Sequence, residues 1–296
     1  MKLSIISGRS GSGKSTALRA LEDAGFNCID NFPVSLLPSL LENARDSARK
    51  HPNQNESNIA VCIDARNTDL ERFPQILNSM DRTNLECEVI YLDALSATLV
   101  KRFSETRRRH PLTSASTDLL QAIEDEKGLL EGIADLADLT IDTTLLRSSE
   151  LTDLIRTRVV ANTGQRLSLL FRSFGFKFGV PVDADMVFDI RCLPNPHWMA
   201  ELQPLTGLDS KVKAYLDAQP DVGEMFDDVC AFLDRWIPKF EDDNRTYMTI
   251  AIGCTGGQHR SVYLAERLGA HFQDQLENVL VRHRQLSVLP AIPSKA

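Results

Sequence analysis

Eight residues near the start of the chain, Gly8-Arg9-Ser10-Gly11-Ser12-Gly13-Lys14-Ser15, follow the spacing G-x-x-x-x-G-K-[ST]. These are the residue types that hold a polyphosphate. Glycines let the backbone wrap closely, so that successive amides and the positive end of a following helix face the negative charge. Lys14 would then reach the β- and γ-phosphates of ATP or GTP, and the Ser15 hydroxyl would ligate Mg²⁺. No structural metal is expected beyond that nucleotide-borne ion.

A magnesium site needs a carboxylate from a neighbouring strand. Four apolar runs, at Phe26 to Ile29, Ile59 to Ile63, Val89 to Leu92 and Leu139 to Ile141, each end on aspartate: Asp30, Asp64, Asp93 and Asp142. Asp64 is the metal candidate. Asp30 is a substrate-side carboxylate if the chain is a small-molecule kinase, and Asp93 is expected to be structural. The basic run Lys101, Arg102, Arg107, Arg108, Arg109, followed by His110-Pro111, reads either as a lid that clamps phosphates or as a solvated basic face.

A second glycine-rich stretch, Gly253-Cys254-Thr255-Gly256-Gly257-Gln258-His259-Arg260-Ser261, fits C-x-x-G-x-x-R-S. That spacing suits a nest of amides for a phosphorylated ligand, with Arg260 and His259 as charged contacts. It also suits thiolate attack on phosphorus from Cys254, although Gly253 stands where such phosphatases carry a histidine. Asp183, Asp185 and Asp189 are available acids. His197 and Trp198, beside two prolines, are expected in a packed corner, and His51, His110 and His271 at the surface or as caps.

The elements that must carry these residues alternate strand and helix, which implies a parallel sheet covered by helices on both faces, with ligands beyond the carboxyl ends of the strands. The first strand, Leu3 to Ser7, leads into the Gly8 loop and a helix through Leu21. The polar stretch from Lys50 to Ser57 reads as a surface loop. A pause at Ala161-Asn162-Thr163-Gly164-Gln165 divides the chain into a nucleotide-binding domain, 1–161, and a second α/β domain, 162–296. The latter should carry a helix from Gly223 to Trp236, a strand from Tyr247 to Ile252 and a helix from Arg260 to Phe272, with a frayed end from Pro290. With 296 residues and 43% hydrophobic content, two cores can form. A formal charge of −8 excludes a globally basic nucleic-acid coat but allows a local patch. Six cysteines without a C-x-x-C pair suggest reduced thiols, and no apolar run is long enough for a membrane span, so a cytoplasmic protein is expected.

With Gly8 to Ser15, Asp64-Ala65-Arg66-Asn67, Thr106-Arg107-Arg108-Arg109-His110-Pro111, Phe174-Gly175-Phe176-Lys177 and Leu193-Pro194-Asn195-Pro196-His197-Trp198, the chain resembles the RapZ/YvcJ family nearly end to end. The resemblance implies a nucleotide-binding adapter that presents a small regulatory RNA to an endoribonuclease and so tunes amino-sugar synthesis. It further implies an ATP site at Gly8 to Ser15 and a GTP-assigned stretch at Asp64, Ala65, Arg66 and Asn67. The second domain would sense a phosphosugar such as glucosamine-6-phosphate and bind RNA, in a homo-oligomer. For RNA contact the tail offers Arg282, His283, Arg284 and Lys295, with no acidic residue from Val279 onward.

Overall fold

The computed structural model describes residues 2–50, 58–80, 85–106, 109–114, 116–161, 167–243 and 245–286, with the backbone alone over 44–50. Expectations placed on His51, the loop through Ser57, Arg107, Arg108, Lys295 and the segment from Pro290 lie outside these residues. The chain divides into two compact units, Met1–Gly164 and Gln165–Ala296.

In the first unit, β1 (Lys2–Gly8), α1 (Lys14–Glu22), β2 (Asn27–Ile29), α2 (Leu37–Lys50), β3 (Ile59–Cys62), α3 (Phe73–Ser79), β4 (Glu86–Asp93), α4 (Ser96–Thr106), α5 (Leu119–Ala134), β5 (Leu139–Asp142) and α6 (Ser148–Ile155) follow in order. The sheet runs β2-β3-β1-β4-β5 and every pairing is parallel. Because β1 lies in the interior of the sheet under helices, all seven of its residues are buried, as strands covered on both faces must be. Leu3, Ile5, Val61, Val89 and Tyr91 meet Phe73 and Leu130 in the core. A lysine can stand at the head of this strand because Lys2 faces Glu86 and Glu88 and donates to the Val159 carbonyl. Strand order reverses at β1, and the four aspartates lie at the carboxyl edge.

The second unit repeats the plan with β6 (Ser168–Gly175), β7 (Met186–Asp189), α7 (Ser210–Asp217), α8 (Pro220–Asp242), β8 (Tyr247–Cys254), α9 (Arg260–Gln273) and β9 (Val279–His283). Its sheet is also wholly parallel, in the order β7-β8-β6-β9. Phe171, Ile250, Ile252, Leu264, Leu268 and Phe272 form its centre. Helix α8 is longer than expected at both ends. Pro220 opens it, where the missing N–H costs nothing, and it continues past Trp236 through Pro238. The expected packed corner at His197-Trp198 is not found: Pro196 is buried, but Trp198 is 84% exposed. Among the described residues, no helix is long and apolar enough to cross a membrane.

Candidate functional site

The turn out of β1 is possible only for glycine. Gly8 sits at φ 140°, and a Cβ there would stand 2.0 Å from the Leu92 carbonyl oxygen on β4. The loop then rises over the sheet edge into α1, whose N-cap, Gly13, is left-handed at φ 110°. Lys14 Nζ donates to the Gly8 and Arg9 carbonyls at 2.6 and 3.2 Å, so its charge closes back over the loop. A cleft of about 570 Å³ opens here, lined by Ser10 to Thr16, Asp30, Asp64, Arg66, Arg102, Arg109 and Thr143 among others.

The expected phosphate residues do not all face that cleft. Arg9 is buried, and its guanidinium is spent on the protein: Nε to Asp93 at 2.7 Å, NH1 to Ser96 Oγ at 3.0 Å and NH2 to the Ala94 carbonyl. It is a brace under the loop, and Asp93 is its counter-ion. Ser12 lines the cleft floor but is fully buried, with a hydroxyl that has no hydrogen-bond partner among the described residues. Ser10, Gly11, Gly13, Lys14 and Ser15 line the cleft with it.

Asp64 is nearly buried, and Arg66 closes on it with Nε 3.1 and 3.0 Å from its two oxygens. Burial alone would raise the Asp64 carboxyl. The hydrogen bonds from Arg66, the charge of Arg66 and that of Lys14 outweigh it and hold the group below the usual carboxylate range. An ionised carboxylate lining the same cleft as Ser15 suits a nucleotide-borne Mg²⁺, which would compete with Arg66 for its two oxygens. In the rest of the 64–67 stretch Arg66 lines the cleft, Ala65 is buried, and Asn67 donates to the Phe32 carbonyl and accepts from Val34 N. Asp30 is exposed on the cleft wall.

From the expected lid, Arg102 reaches back to the Gly11 and Thr143 carbonyls, and burial lowers its pKa. His110 is not the surface or cap residue expected. It is buried, with Nε2 3.0 Å from the equally buried Glu126, which also accepts from Ser10. Sequence reading missed Glu126. The available signal was a carboxylate falling on the buried stripe Ile123, Glu126, Leu130, Ile133 of α5.

In the second unit the Cys254 loop bridges β8 and α9 as expected. Gly257, at φ 70°, comes so near β6 that a Cβ would lie 2.6 Å from Gly175 N. Cys254 is buried, 3.1 Å from Ser261 Oγ, and its sulfur accepts from Gly257 N at 3.2 Å. Arg260 is buried as well. Its NH1 donates to the Arg191 and Leu193 carbonyls at 2.9 and 2.8 Å, NH2 lies 3.3 Å from Thr255 Oγ1, and Nε has no partner among the described residues. His259 is not placed as a charged contact. Its ring is buried with Nε2 3.1 Å from the Leu202 carbonyl oxygen, and burial pushes its pKa down. Of the candidate acids, Asp183 is held by Arg172, Asp185 by Arg245 and Asp189 by Arg191.

The candidate RNA residues differ among themselves. Arg282 is exposed, and Arg284 donates to the Gly179 carbonyl. His283 faces inward, with Nδ1 2.9 Å from Ser173 Oγ and Nε2 2.9 Å from Glu266, and burial lowers its pKa despite that carboxylate. All six cysteines are free, and burial pushes the Cys62 thiol up to about 12.

Residues 1–163 match the family model described as the RapZ-like N-terminal domain, and residues 167–287 match the RapZ C-terminal domain. A nucleotide-binding protein of Stutzerimonas stutzeri (strain A1501) is 56% identical over 97% of this chain and 100% of its own length. One from Pseudomonas fluorescens (strain SBW25) is 57% identical over the same shares. Among solved structures, a shikimate kinase from Acinetobacter baumannii covers 54% of this chain and 94% of its own, at 16% identity and a TM-score of 0.35. So distant a likeness carries nothing about function.

Proposed function

Since this chain belongs to the RapZ family over both of its units, we propose that it is a nucleotide-binding regulatory adapter. Its first unit would hold Mg-ATP or Mg-GTP. The second would take a phosphosugar such as glucosamine-6-phosphate and bind a small regulatory RNA, which an oligomer in the cytoplasm presents to an endoribonuclease to control amino-sugar synthesis. The nucleotide part is supported by one observation above the others: Lys14, Ser15 and Asp64 line a single cleft at the carboxyl edge of a parallel sheet. Relatives at 56% and 57% identity that are named nucleotide-binding proteins support it too. The RNA, nuclease and phosphosugar parts rest on family membership, with exposed Arg282 and the Cys254 nest as the residues that suit them.

Ser15 and Asp64 would hold the magnesium, and the ion would neutralise phosphate charge when bound. Hydrolysis in this reading is weak at most. A second reading, phosphoryl transfer to a small hydroxylated acceptor, is favoured by Asp30 and Arg109 on the same cleft wall. Calorimetry with ATP and GTP on the full chain tests the nucleotide part: Lys14→Ala should lose affinity by at least about tenfold, the loss of a charge-assisted contact, while the fold survives. Equal affinity in a folded Lys14→Ala protein refutes it. Sequencing the RNA that co-purifies tests the partner, and stoichiometric loss of the γ-phosphate to an added sugar or nucleoside would favour the kinase.

A further inference from the structure

A carboxylate buried beneath a phosphate-binding loop is costly unless it is fully hydrogen-bonded, because burial disfavours charge. Glu126 is such a group. Its side chain is 0% exposed, yet it lies against a loop whose work is to attract anions. Three donors surround it: Ser10 N and Ser10 Oγ, each at 2.7 Å, and His110 Nε2 at 3.0 Å. The histidine tautomer follows from its other nitrogen. Nδ1 accepts from Leu112 N at 3.2 Å, so the ring proton sits on Nε2, aimed at Glu126.

His110 also anchors the turn that carries Arg109. Thr113 donates from N and Oγ1 to the His110 carbonyl, and Arg109 donates to Thr113 Oγ1 and O at 3.2 and 3.1 Å. Phe103 of α4 packs on the His110 ring with centroids 5.1 Å apart. The same Phe103 backs the loop at Gly11, where a Cβ would stand 3.4 Å from its ring. One continuous set of contacts therefore runs from Ser10 through Glu126 and His110 to Arg109, and both ends face the cleft.

We infer that Glu126 and His110 are positioning residues for the phosphate-binding loop, holding Ser10 and Arg109 in register around one phosphate chain. This rests on the nucleotide reading above. Glu126 takes up the Ser10 amide and hydroxyl, which leaves the later amides of the loop to face the ligand. The histidine supplies the third donor and fixes how far the Arg109 turn stands from the loop. Neither side chain would touch the nucleotide.

The test uses the full chain, Mg-ATP and inorganic tripolyphosphate as probes, and thermal unfolding as a control. Glu126→Leu keeps the bulk but leaves all three donors without their acceptor. It should weaken binding of both probes by at least about tenfold, the effect of losing one charge-assisted hydrogen bond. His110→Leu should do the same, whereas His110→Gln, which keeps an N–H toward Glu126, should recover most of the affinity. Should Glu126→Leu not fold, Ser10→Ala reads the same interaction from the loop side, with a smaller effect. Wild-type affinity in folded Glu126→Leu or Ser10→Ala overturns the inference. So does a loss that merely tracks unfolding and is not recovered by His110→Gln. If the wild type itself binds neither ATP nor GTP, the nucleotide reading falls and this inference falls with it.

Discussion

Arg9 lies inside the phosphate-binding motif, yet its contacts make it a stability residue, and Arg9→Met separates the two roles. The substitution keeps the apolar stem and removes a guanidinium that is 4% exposed, paired at 2.7 Å with an Asp93 that is 15% exposed. Breaking a buried pair costs about 3–5 kcal/mol, because the remaining charge is left uncompensated. Asp93 still accepts from Ala94 N and meets some solvent, so the lower end, about 3 kcal/mol, is the expected loss. For a unit of this size that corresponds to a fall of roughly 6–12 °C in unfolding midpoint. Trp198 and Trp236 both lie in the second unit, so tryptophan emission is blind to the transition. Hydrogen exchange read by mass spectrometry in rising urea resolves peptides from 1–164 separately. Those peptides should open at lower urea in Arg9→Met, while peptides from 165–296 keep their midpoint. Adding Asp93→Leu should restore part of the loss, since removing both charges removes the uncompensated one. A stability within 1 kcal/mol of wild type, together with lost nucleotide affinity, would refute the reasoning and return Arg9 to the ligand.

Asp64→Asn should cut Mg²⁺-dependent hydrolysis by at least about tenfold while changing nucleotide affinity less, since it removes charge from the metal shell. If Asp93→Asn does this instead, the metal assignment is wrong. His259 and His283 have pKa values pulled down by burial, so they bind protons more readily unfolded than folded. The second unit should therefore keep full stability above about pH 6.5 and lose it as pH falls through that value toward the lower folded-state values. Urea midpoints at pH 7.5 and 5.5 check this, and His259→Gln with His283→Gln should flatten the difference. Replacing Arg282 and Arg284 by alanine should reduce the salt dependence of RNA affinity by about one unit of slope for each phosphate that is no longer neutralised. An unchanged slope removes both from the interface.

The fold was legible where one sequence signal corresponds to one physical demand. Apolar runs ending in Asp30, Asp64, Asp93 and Asp142 announced the strands of a parallel sheet, edges β2 and β5 included, because helices cover both faces while the carboxyl end meets solvent and ligand. The glycines at 8, 11 and 13 announced the loop. What stayed hidden depended on partners distant in the chain. Nothing adjacent to His110 reveals that Glu126 waits sixteen residues on, so a polar histidine beside a proline read as surface. Arg9 looked like any residue of the motif until Asp93, Ala94 and Ser96 were brought beneath it. Trp198 failed in the opposite sense: an apolar ring beside two prolines suggested packing, but Pro196 is buried and Trp198 is not. Edge strand β7 is half-exposed, and its apolar run, Met186-Val187-Phe188, is too short to stand out as the central strands do.

The two glycine-rich loops share a plan but commit their cations differently, and that difference bears on what each can do. Among the described residues Lys14 is tethered to two backbone carbonyls at a partly exposed site, so an arriving phosphate competes with neutral acceptors for a flexible ammonium. Arg260 is enclosed, with NH1 between two carbonyls of the 191–193 turn, and only Nε lacks a partner. A guanidinium fixed in this way is pre-organised: it can meet an anion without losing side-chain entropy at that moment, but it cannot swing to follow a transferring phosphoryl group. The thiol beneath it is buried and engaged by Ser261 and Gly257, and the nearby carboxylates are each claimed by an arginine. Nucleophilic chemistry needs an accessible thiolate and a free acid for the leaving group. A rigid nest with an occupied thiol favours recognition of a phosphorylated ligand over its cleavage.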